Sequence, residues 1–384
     1  MITRKGFLGG LSASCAVAAF GSGRAGGRIY SVSLLGDTHY DKEPIELYHA
    51  EYVRRFSGKK ECQWGFGEIP RNAKMWRGIC KRILAASGKA VRPDCAFVLQ
   101  TGDLIQGDCC DADVNTRMLD DTIRYFKSAY PKDLPFVTVC GNHDIRGLIY
   151  EVNCQIVKRY AEYMGRFESK ELGDRVCGGR VTGSTFGFRQ GPDLYVVIDF
   201  NHGSKTVPLV KRILAENEDA RYTFIVLHGG VFPYDYWGRC FYLAEPKEDE
   251  FRREMRALFA RRNAIVLAGH THRLELREAK FPEGMITEMT VNTVDDPGMT
   301  VEPSQVRDGL AAYGADAKFL DKIVRGRELF AEYKPYMTRH YSAWAIGHAI
   351  LRVSDDLVAC DFYGGDALTP TKTFILRDRR TGGR

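Results

Sequence analysis

Short apolar runs alternate along the chain with longer stretches in which apolar positions recur at helical spacing. Compact runs rich in valine, leucine and isoleucine are typical of buried strands, and amphipathic stretches are typical of helices that pack against them. We predict strands at residues 30–35, 95–99, 135–140, 185–189, 194–199, 222–227 and 264–268. We predict helices at residues 72–87, 113–129, 149–164 and 248–262. This order of elements predicts a layered α/β fold.

The C-terminal part has a different pattern, in which apolar runs follow one another closely. They predict antiparallel strands that complete a second sheet, at residues 285–291, 342–353 and 357–362. The charged stretch at residues 305–333 is expected to be helical and to form an insertion or a cap. The long excursion over residues 41–93 is the other expected insertion. Because no linker, internal repeat or low-complexity segment interrupts the chain, residues 27–384 are expected to form one domain.

The first 26 residues have the pattern of an export signal. Arg4 and Lys5 form a basic start, a short segment of modest hydrophobicity follows to Phe20, and small residues lead to Gly27. The stretch TRKGFLGG resembles a twin-arginine signal in which Lys5 stands in place of the second arginine. We therefore predict export to the periplasm or out of the cell, with cleavage between Phe20 and Gly27.

Two other interpretations of this segment agree less well with its residues. An N-terminal anchor needs about 20 consecutive apolar residues, whereas glycines and serines interrupt this stretch, and a buried helix is the remaining alternative. Lipidation at Cys15 would need a leucine-like residue where Ser12 stands, so we do not expect it. No later apolar run approaches the length that crosses a membrane. The mature chain is therefore expected to have no membrane span.

Composition and charge narrow the class of partner. The 384 residues carry a formal charge of +6, and half of this charge comes from Arg4, Lys5 and Arg24. No polybasic stripe follows, so bulk charge does not predict nucleic-acid binding. None of the eleven cysteines forms a CxxC pair or matches the spacing of a zinc module. An oxidising compartment would permit disulfides among them, but the sequence predicts no particular pairing.

Polar residues suited to metal chemistry follow directly after five of the predicted strands. They lie in the segments Gly36-Asp37-Thr38-His39, Gly102-Asp103, Gly141-Asn142-His143-Asp144, Leu227-His228-Gly229-Gly230 and Gly269-His270-Thr271-His272. In open α/β sheets, ligands bind beyond the carboxyl ends of the strands, so we expect the five segments to converge on one cleft. Five of the nine histidines of the chain lie in these segments, which favours a shared function over chance.

One residue separates the polar pair in two of these segments. On an extended backbone this spacing places both side chains on the same side, so Asp37 and His39 are expected to face one site, as are His270 and His272. The glycine before each segment is expected to permit a sharp turn that brings the backbone close to a ligand. Each motif alone has an ordinary explanation, since Gly-Asp is common in turns and His-x-His occurs on exposed strands. The ordered set of five favours a functional site.

The series D-x-H, GD, GNHD, a histidine at a strand end and GHxH resembles the calcineurin-like metallophosphoesterase superfamily. The resemblance covers residues 30–275. It implies a four-layer α-β-β-α sandwich of two mixed sheets flanked by helices, with a two-metal site at the carboxyl ends of the strands. By position, the first ion would be bound by Asp37, His39, Asp103 and His272, and the second by Asp103, Asn142, His228 and His270. Asp103 would bridge the two ions.

The donor types agree with this assignment. Nitrogen and carboxylate ligands suit Mn, Fe or Zn, as a divalent or mixed-valence pair, better than Mg or Ca. Two ions about 3.5–4 Å apart share a hydroxide, lower its pKa and bind phosphoryl oxygens during in-line attack. His143 is the predicted general acid, tuned by a neighbouring carboxylate such as Asp144. Arg146 is a candidate phosphate contact, with a solvated surface arginine as an equal alternative.

Departures from related patterns narrow the predicted function. His39 stands where purple acid phosphatases have glycine, and no tyrosine follows closely after Asp103. The final GHTH motif differs from that of protein Ser/Thr phosphatases, and the set is most similar to cyclic-nucleotide and related phosphodiesterases. We therefore predict a phosphodiesterase of small phosphoesters, with a phosphomonoesterase as the first alternative. A catalytically silent metal-binding protein would be expected to lack a ligand or the acid, and a nuclease to have a basic groove.

Other polar and aromatic residues fall near the motifs. Asp199 and His202 are expected either to pair behind the ligands or to lie in an ordinary turn. A group of aromatic residues follows His228 and is expected either to line the cleft or to form a packed loop. This group consists of Phe232, Tyr234, Tyr236 and Trp237.

Overall fold

The structure is a computed structural model of the 384-residue chain. It describes residues 29–40, 68–107, 109, 111–147, 150–233, 241–294, 303–315, 321 and 325–380. The predicted export signal over residues 1–26 lies outside this part of the chain, as do residues 41–67 of the expected insertion. Tyr234, Tyr236 and Trp237 lie outside it as well. Within the described residues, no helix is long and apolar enough to cross a membrane.

The described residues form fourteen strands and six α-helices. The strands are β1 (Tyr30–Leu35), β2 (Cys95–Gln100), β3 (Phe136–Thr138), β4 (Phe186–Gln190), β5 (Asp193–Ile198), β6 (Thr223–Leu227), β7 (Ile265–Ala268), β8 (Leu274–Phe281), β9 (Gly284–Thr290), β10 (Ser304–Asp308), β11 (Met337–Trp344), β12 (Gly347–Val353), β13 (Leu357–Gly364) and β14 (Lys372–Asp378). The helices are α1 (Glu68–Ala90), α2 (Ala112–Ser128), α3 (Tyr150–Leu172), α4 (Val207–Ala215), α5 (Asp249–Arg261) and α6 (Gly326–Tyr333).

Two mixed sheets organise the strands. The smaller sheet has the order β14-β13-β12-β1-β2-β3, and the larger sheet has the order β10-β11-β8-β9-β7-β6-β5-β4. In the smaller sheet β1, β2 and β3 run parallel, and β12 pairs antiparallel with the other side of β1. In the larger sheet β5, β6, β7 and β9 form a parallel centre. Each of the five motif segments therefore follows a strand that has a parallel neighbour, so the carboxyl ends of these strands lie at the same end of their sheet.

Alternate residues of the parallel strands enter different cores, as the two-residue period of a strand requires. Val32 and Leu34 of β1 lie in a core between the sheets that also contains Val226 of β6. Leu35, on the opposite face of β1, lies in an outer core with residues of α1, α2 and α3. Ile225 of β6 lies in the other outer core, with residues of α4, α5 and α6. The predicted fold class, two mixed sheets flanked by helices, is confirmed.

The elements predicted for the motif-bearing part are confirmed. Every strand and helix predicted between residues 30 and 268 is present, and most ends differ by a few residues, although α3 extends to Leu172. The start of α2 has a local cause, because the carboxylate of Asp111 accepts hydrogen bonds from the backbone N–H groups of Asp113 and Val114 at 2.6 and 3.2 Å. Helix α4 is an addition that the apolar pattern does not predict.

One expectation for the C-terminal part is wrong, and another is met in part. The run at residues 342–353 is not one strand, because it divides into β11, which joins the larger sheet, and β12, which pairs with β1. Strands β12 and β13 therefore extend the sheet that begins with β1 and do not complete a second sheet. Within its described residues, the stretch at residues 305–333 begins in strand β10 and is helical in the short turn Leu310–Ala312, at Asp321 and in α6.

The apolar pattern also misses three strands, because charged residues interrupt their alternation. Strand β8 has the sequence LELREAKF, yet its Glu275 and Arg277 are buried and paired with each other. Strands β10 and β14 lie at sheet edges, where one side of a strand has no partner and polar residues are common. Strand propensity depends on such neighbours, which the sequence alone does not show.

Candidate metal centre

The five motif segments meet at the carboxyl ends of strands from both sheets. Asp37 and His39 follow β1, Asp103 follows β2, Asn142 and His143 come after β3, His228 follows β6, and His270 and His272 follow β7. The donor atoms of six of these residues form two groups that share one member. The predicted convergence of the segments is therefore what the structure shows.

One group of donor atoms surrounds the residues after β1. One ligand atom from each of Asp37, His39, Asp103 and His272 lies within 4.8 Å of the others. The Nε2 atoms of His39 and His272 are 3.2 Å apart, and Nε2 of His39 is 3.7 Å from Oδ2 of Asp103. Nε2 of His272 is 3.7 Å from Oδ1 of Asp37. Two imidazole nitrogens and two carboxylate oxygens at such distances suit a divalent transition-metal ion.

A second group shares Asp103 with the first. It contains Asp103, His228 and His270, again with the ligand atoms within 4.8 Å of one another. Nε2 of His228 is 3.1 Å from Oδ2 of Asp103 and 3.1 Å from Nδ1 of His270. Because the same Oδ2 atom faces His39 in the first group, the Asp103 carboxylate lies between the two groups.

Asn142 lies in the loop after β3, beside the shared carboxylate. Its side-chain oxygen is buried, with no hydrogen-bond donor for it among the described residues. The backbone N–H of His143 donates to Oδ1 of Asp103 at 2.8 Å, which ties this loop to Asp103. A buried amide oxygen without a partner costs free energy, and a bound cation would remove that cost. Asn142 therefore fits the fourth place in the second group.

Contacts behind His228 orient its ring. Nδ1 of His228 lies 2.8 Å from the carbonyl oxygen of Thr101, so Nδ1–H donates a hydrogen bond to that carbonyl. Nε2, which faces Asp103, is therefore the atom available to bind a metal ion. The ring of Phe200 packs 5.6 Å from the rings of both His228 and His270. A hydrogen bond of this kind sets the tautomer and the direction of a metal-binding histidine.

Burial and neighbouring charges set the protonation of the site. Burial raises the pKa of Asp37 to about 6, although His228 and His272 oppose this rise. Burial acts in the same direction on Asp103, but the charges of His228 and His143 hold its pKa well below the usual range. Burial opposes protonation of His228, yet the Asp103 carboxylate raises the pKa of this histidine to about 9. A site that holds a proton on a buried histidine has a negative potential that favours a bound cation.

The predicted ligands have an unusual backbone conformation. Five of them have positive φ angles, namely Asp37 (40°), His39 (42°), Asp103 (52°), His270 (70°) and His272 (51°). Residues other than glycine seldom occupy this region, and such strain is concentrated at functional sites. The expectation that the D-x-H and H-x-H pairs lie on extended backbone is therefore wrong. Left-handed turns beyond the strand ends bring each pair together.

Glycine lets these loops approach one another closely. Gly102 has a φ of 95°, and a Cβ atom there would overlap the ring of His228. A Cβ atom at Gly141 would overlap the backbone nitrogen and Oδ1 of Asp103. The positive φ angle expected at these glycines is thus present at Gly102. At Gly141 the φ angle is not positive, and glycine is needed only because the backbone lies so close to Asp103.

His143 lies beside the first group of donors. Its ring meets the ring of His39 edge-on, with centroids 4.6 Å apart, and its Nδ1 atom lies 2.8 Å from the carbonyl oxygen of Gln106. The carbonyl of His143 accepts a hydrogen bond from the backbone N–H of Arg146 at 3.2 Å. The catalytic role of His143 and the phosphate contact of Arg146 stay predictions at this point.

Asp144 braces the loop that carries Asn142 and His143. Its carboxylate accepts hydrogen bonds from the backbone N–H groups of Gly141 and Ile105, at 2.9 and 3.1 Å. Burial raises the pKa of Asp144 to about 7. These bonds give Asp144 a task in shaping the loop, while its predicted tuning of His143 stays a prediction.

No sequence motif marks two aromatic residues that contact the donors. Trp76 of α1 is 8% exposed and packs on His39, with ring centroids 5.0 Å apart. Phe200, whose contacts are given above, comes two residues after the end of β5. Like the motif segments, Phe200 lies just beyond the end of a parallel strand, so its position could have been predicted from the sequence. For Trp76 the sequence offers no such signal.

Asp199 and His202 pair with each other near the loop that carries Asn142. Nδ1 of His202 lies 2.7 Å from Oδ2 of Asp199. Oδ1 of Asp199 lies 3.1 Å from Nδ2 of Asn201, which also lies 3.4 Å from the carbonyl oxygen of Cys140. The pair therefore supports the backbone just before the GNHD segment.

Buried charges hold the segment that follows His228. The backbone N–H of Val231 donates to Oε2 of Glu288 at 2.5 Å, and Oε1 of Glu288 accepts from Nη1 of Arg277 at 2.8 Å. Both side chains are at most 2% exposed. Phe232 is fully buried in the outer core of the larger sheet, so it belongs to a packed segment.

Comparison with known sequences identifies one matching family. The description of that family is calcineurin-like phosphoesterase, and it matches residues 30–274. This span contains all seven predicted metal ligands and His143. A search of curated proteins found no match.

Solved structures match this chain at low sequence identity, and one of them with a TM-score above 0.5. The structure of PhoD matches with a TM-score of 0.52 at 10% identity, over 92% of this chain and 70% of that one. A dimetal phosphatase from Danio rerio matches with a TM-score of 0.48 at 11% identity, over 91% and 99% of the two chains. The purple acid phosphatase PPD1 from yellow lupin (Lupinus luteus) seeds matches with a TM-score of 0.46 at 12% identity, over 92% and 54%. Likeness at this level concerns the fold alone.

Proposed function

The chain belongs to the calcineurin-like phosphoesterase family, and on this premise we propose that it is a phosphodiesterase with a pair of metal ions. Family and donor groups support a metal-dependent hydrolase of phosphoesters. The pair of ions and the diester substrate are the proposed parts. The observation that carries them is the place of Asp103, whose Oδ2 is 3.1 Å from Nε2 of His228 and 3.7 Å from Nε2 of His39. One carboxylate shared by two donor groups suits two closely spaced ions.

The donor set fits the ions that the family implies. We assign Asp37, His39, Asp103 and His272 to the first ion and Asp103, Asn142, His228 and His270 to the second. The mixture of imidazole nitrogen and carboxylate oxygen favours Mn, Fe or Zn. When bound, the ions supply Lewis acidity that lowers the pKa of water and screens charge on the phosphoryl oxygens. Asp103 would be a ligand in both donor groups, and the carbonyl of Thr101 directs Nε2 of His228 toward it.

His143 is proposed to protonate the leaving alcohol. Its place beside His39 puts it next to the first donor group, and the carbonyl of Gln106 engages Nδ1. In the protonated ring, Nε2–H is the group that we assign to donate to the leaving alcohol. As the bond from phosphorus to the leaving oxygen breaks, this proton passes from Nε2 to that oxygen and a neutral imidazole remains.

A cavity beside the second donor group supports a diester substrate. It has a volume of about 400 Å³, and Phe200, which packs on His228 and His270, forms part of its lining. His202 and Lys205 also line it. A phosphodiester carries a second alcohol group that stays attached during hydrolysis, whereas a monoester has none. We assign the cavity to that second group, with the leaving alcohol on the side of His143.

Two model substrates test this proposal. We expect the purified chain with Mn²⁺ to hydrolyse bis-p-nitrophenyl phosphate faster than p-nitrophenyl phosphate, and a His143→Ala variant to lose the diester activity. Faster turnover of the monoester would contradict the diester assignment and make the enzyme a phosphomonoesterase. Absence of turnover with both substrates in the presence of Mn, Fe and Zn would contradict the hydrolase itself.

We also propose that the chain is exported, from the residue pattern of its first 26 residues. Cell fractionation of the full-length chain is expected to place it in the periplasm or the medium. A variant with Arg4→Ala and Lys5→Ala is expected to stay inside the cell, because the basic start of the signal is lost. An unchanged distribution of this variant would contradict the proposal.

A further inference from the structure

Five arginines line a cavity near the amino end of β6, whereas the candidate metal ligands lie at the carboxyl end of this strand. The cavity has a volume of about 420 Å³, and these residues are Arg221, Arg261, Arg262, Arg377 and Arg379. Its lining includes Thr223, the first residue of β6, whereas His228 follows the last residue of the same strand. Five strand residues span roughly 17 Å at the usual rise. The cavity is therefore remote from the proposed metal centre.

Few carboxylates pair directly with the arginines of this cavity, although Glu218 and Asp219 lie close enough to favour the charge of Arg262. Among the described residues, no aspartate or glutamate belongs to the lining. Arg221 is paired with Asp193 at 2.6 Å and also with Asp355. The other four arginines make no ion pair with a carboxylate of the described residues. Like charges in one concave site repel each other, and a bound anion would relieve that repulsion.

Neutral groups hold two of these guanidinium groups in place. Arg262 donates to three backbone carbonyl groups at the end of α4 and just beyond it, two at 2.6 Å and one at 3.1 Å. Arg379 donates to the carbonyl of Arg221 at 2.7 Å, and its guanidinium lies 4.4 Å from the centre of the Tyr222 ring. Carbonyl groups and rings orient an arginine without cancelling its charge. The site is thus ordered and positive at the same time.

Arg377 is the member with the strongest need for an acceptor. Its side chain is 6% exposed, and its Nη2 atom donates to the carbonyl of Asn263 at 2.9 Å, whereas Nη1 has no acceptor within the described chain. Burial lowers the pKa of Arg377, which reflects the cost of a charge in this place. The carboxylate of Glu278 favours the charge of Arg377, but its ion pair is with Arg339, at 3.7 Å. The buried charge of Arg377 therefore adds to the positive potential of the cavity, which favours a bound anion.

We propose that this cavity binds an oligophosphate anion. The planar fork of a guanidinium group matches two phosphate oxygens, and the bonds are charge-assisted. The volume of about 420 Å³ exceeds the needs of one orthophosphate, since a water-sized group takes about 30 Å³. Several linked phosphates place negative charge against more than one arginine. Because the cavity is far from the proposed metal centre, this anion is a ligand of the chain and not a substrate held for hydrolysis.

Titration calorimetry of the full chain with inorganic tripolyphosphate tests the proposal. A double variant, Arg261→Gln with Arg379→Gln, removes two exposed members of the cavity. We expect it to raise the Kd by about tenfold or more, because two charge-assisted contacts are lost. Orthophosphate is expected to bind more weakly than tripolyphosphate to the parent chain. Equal affinity for the two anions would contradict an oligophosphate site.

Matched variants separate this site from other places where an anion binds. Arg212→Gln removes the same charge from an exposed arginine of α4 outside the cavity, and we expect a Kd within about twofold of the parent because salt screens distant charges. Asp103→Asn, which alters the proposed metal centre, is expected to leave tripolyphosphate binding intact. If the double variant unfolds, Arg261→Gln alone, at an exposed position, takes its place and is expected to weaken binding. Unaltered binding by the cavity variants, an equal loss in Arg212→Gln, or no saturable binding by the parent would overturn the proposal.

Discussion

The carboxylate of Asp37 accepts the backbone N–H of His270 with both oxygens, at 2.9 Å to Oδ1 and 3.0 Å to Oδ2. The two residues are 233 positions apart in the chain and follow strands of different sheets. This contact joins the first motif to the last at the place where the two sheets meet. Asp37 therefore has two tasks, because it presents an oxygen to the first donor group and holds the backbone of a residue in the second.

Replacing the shared carboxylate tests the paired arrangement of donors. In Asp103→Asn the side chain keeps its shape and loses its charge, so we expect metal content to fall below two ions per chain and diester turnover to fall by roughly 10³-fold or more. Elemental analysis after gel filtration and initial rates measure the two effects. Asp219→Asn, at an exposed carboxylate, is the matched control and should retain both ions. Full metal content and normal turnover in Asp103→Asn would refute the assignment.

Replacing His143 tests proton donation separately from metal binding. We expect His143→Gln to keep its metal content and to lose kcat by roughly 10²–10⁴-fold. The loss should be larger for a diester with an alkyl leaving group than for bis-p-nitrophenyl phosphate, because nitrophenolate leaves without a proton. A His340→Gln variant, at a histidine of β11 that packs on Tyr313, serves as a histidine control outside the donor groups and the cavity. The same loss for both leaving groups would argue against a general acid.

Replacing Arg277 tests the buried charges behind the loop of His228. Arg277 pairs with Glu275 and Glu288, so Arg277→Met leaves two buried carboxylates without their partner. We expect the free energy of unfolding to fall by about 3–5 kcal/mol, with weaker Mn²⁺ binding because Glu288 also holds Val231. Denaturant unfolding and Mn²⁺ titration measure these changes.

A control for this variant lies in the smaller sheet. Arg352→Met breaks the ion pair between Arg352, whose side chain is 20% exposed, and Asp361, whose side chain is 10% exposed. Because this pair is less buried and far along the chain from the motifs, we expect a smaller loss of stability and normal Mn²⁺ affinity. Equal Mn²⁺ affinity in the two variants would show that the buried network does not position the ligands.

The pair of Asp199 and His202 predicts a pH-dependent contribution to stability. The hydrogen bond to Asp199 raises the pKa of His202 above its usual 6.5. Burial opposes the charge of Asp199, but the bond from His202 lowers its pKa below the usual 3.8. The histidine therefore stabilises the fold fully below pH 6.5 and less as pH rises through its raised pKa, while the carboxylate contributes fully above pH 3.8.

The measurement is the difference in unfolding free energy between the parent and His202→Gln. Because the histidine is partly exposed, we expect a difference of about 1 kcal/mol near pH 5.5, and a smaller one near pH 9. Denaturant unfolding at the two pH values gives both numbers. A difference that does not change with pH would show that the pair is not ionised in the folded chain.

The ordered motifs made the candidate ligands predictable, because each lies within a few residues of a strand end and strand ends can be read from apolar runs. The geometry that unites the ligands was not predictable in the same way. Asp37 and His39 were expected on extended backbone, but their φ angles are 40° and 42°. Left-handed turns at non-glycine residues are imposed by surrounding contacts such as the bond from His270 to Asp37, which lies far away in the sequence.

The roles of residues that contact the site through partners distant in the sequence could not be predicted from the apolar pattern. Arg277 stands in a strand that charge conceals, and its role depends on Glu288 in the next strand. Trp76 reaches His39 only because helix α1 packs over the smaller sheet. Local periodicity predicts the elements, whereas contacts between elements decide which side chains support the site.

The most direct test of the central claim is electron paramagnetic resonance of the Mn²⁺-loaded chain. Two Mn²⁺ ions that share Asp103 are expected to be magnetically coupled, and the coupled spectrum should be lost in Asp103→Asn. A spectrum of isolated Mn²⁺ in the parent chain, at full metal loading and with normal diester turnover, would contradict the paired centre.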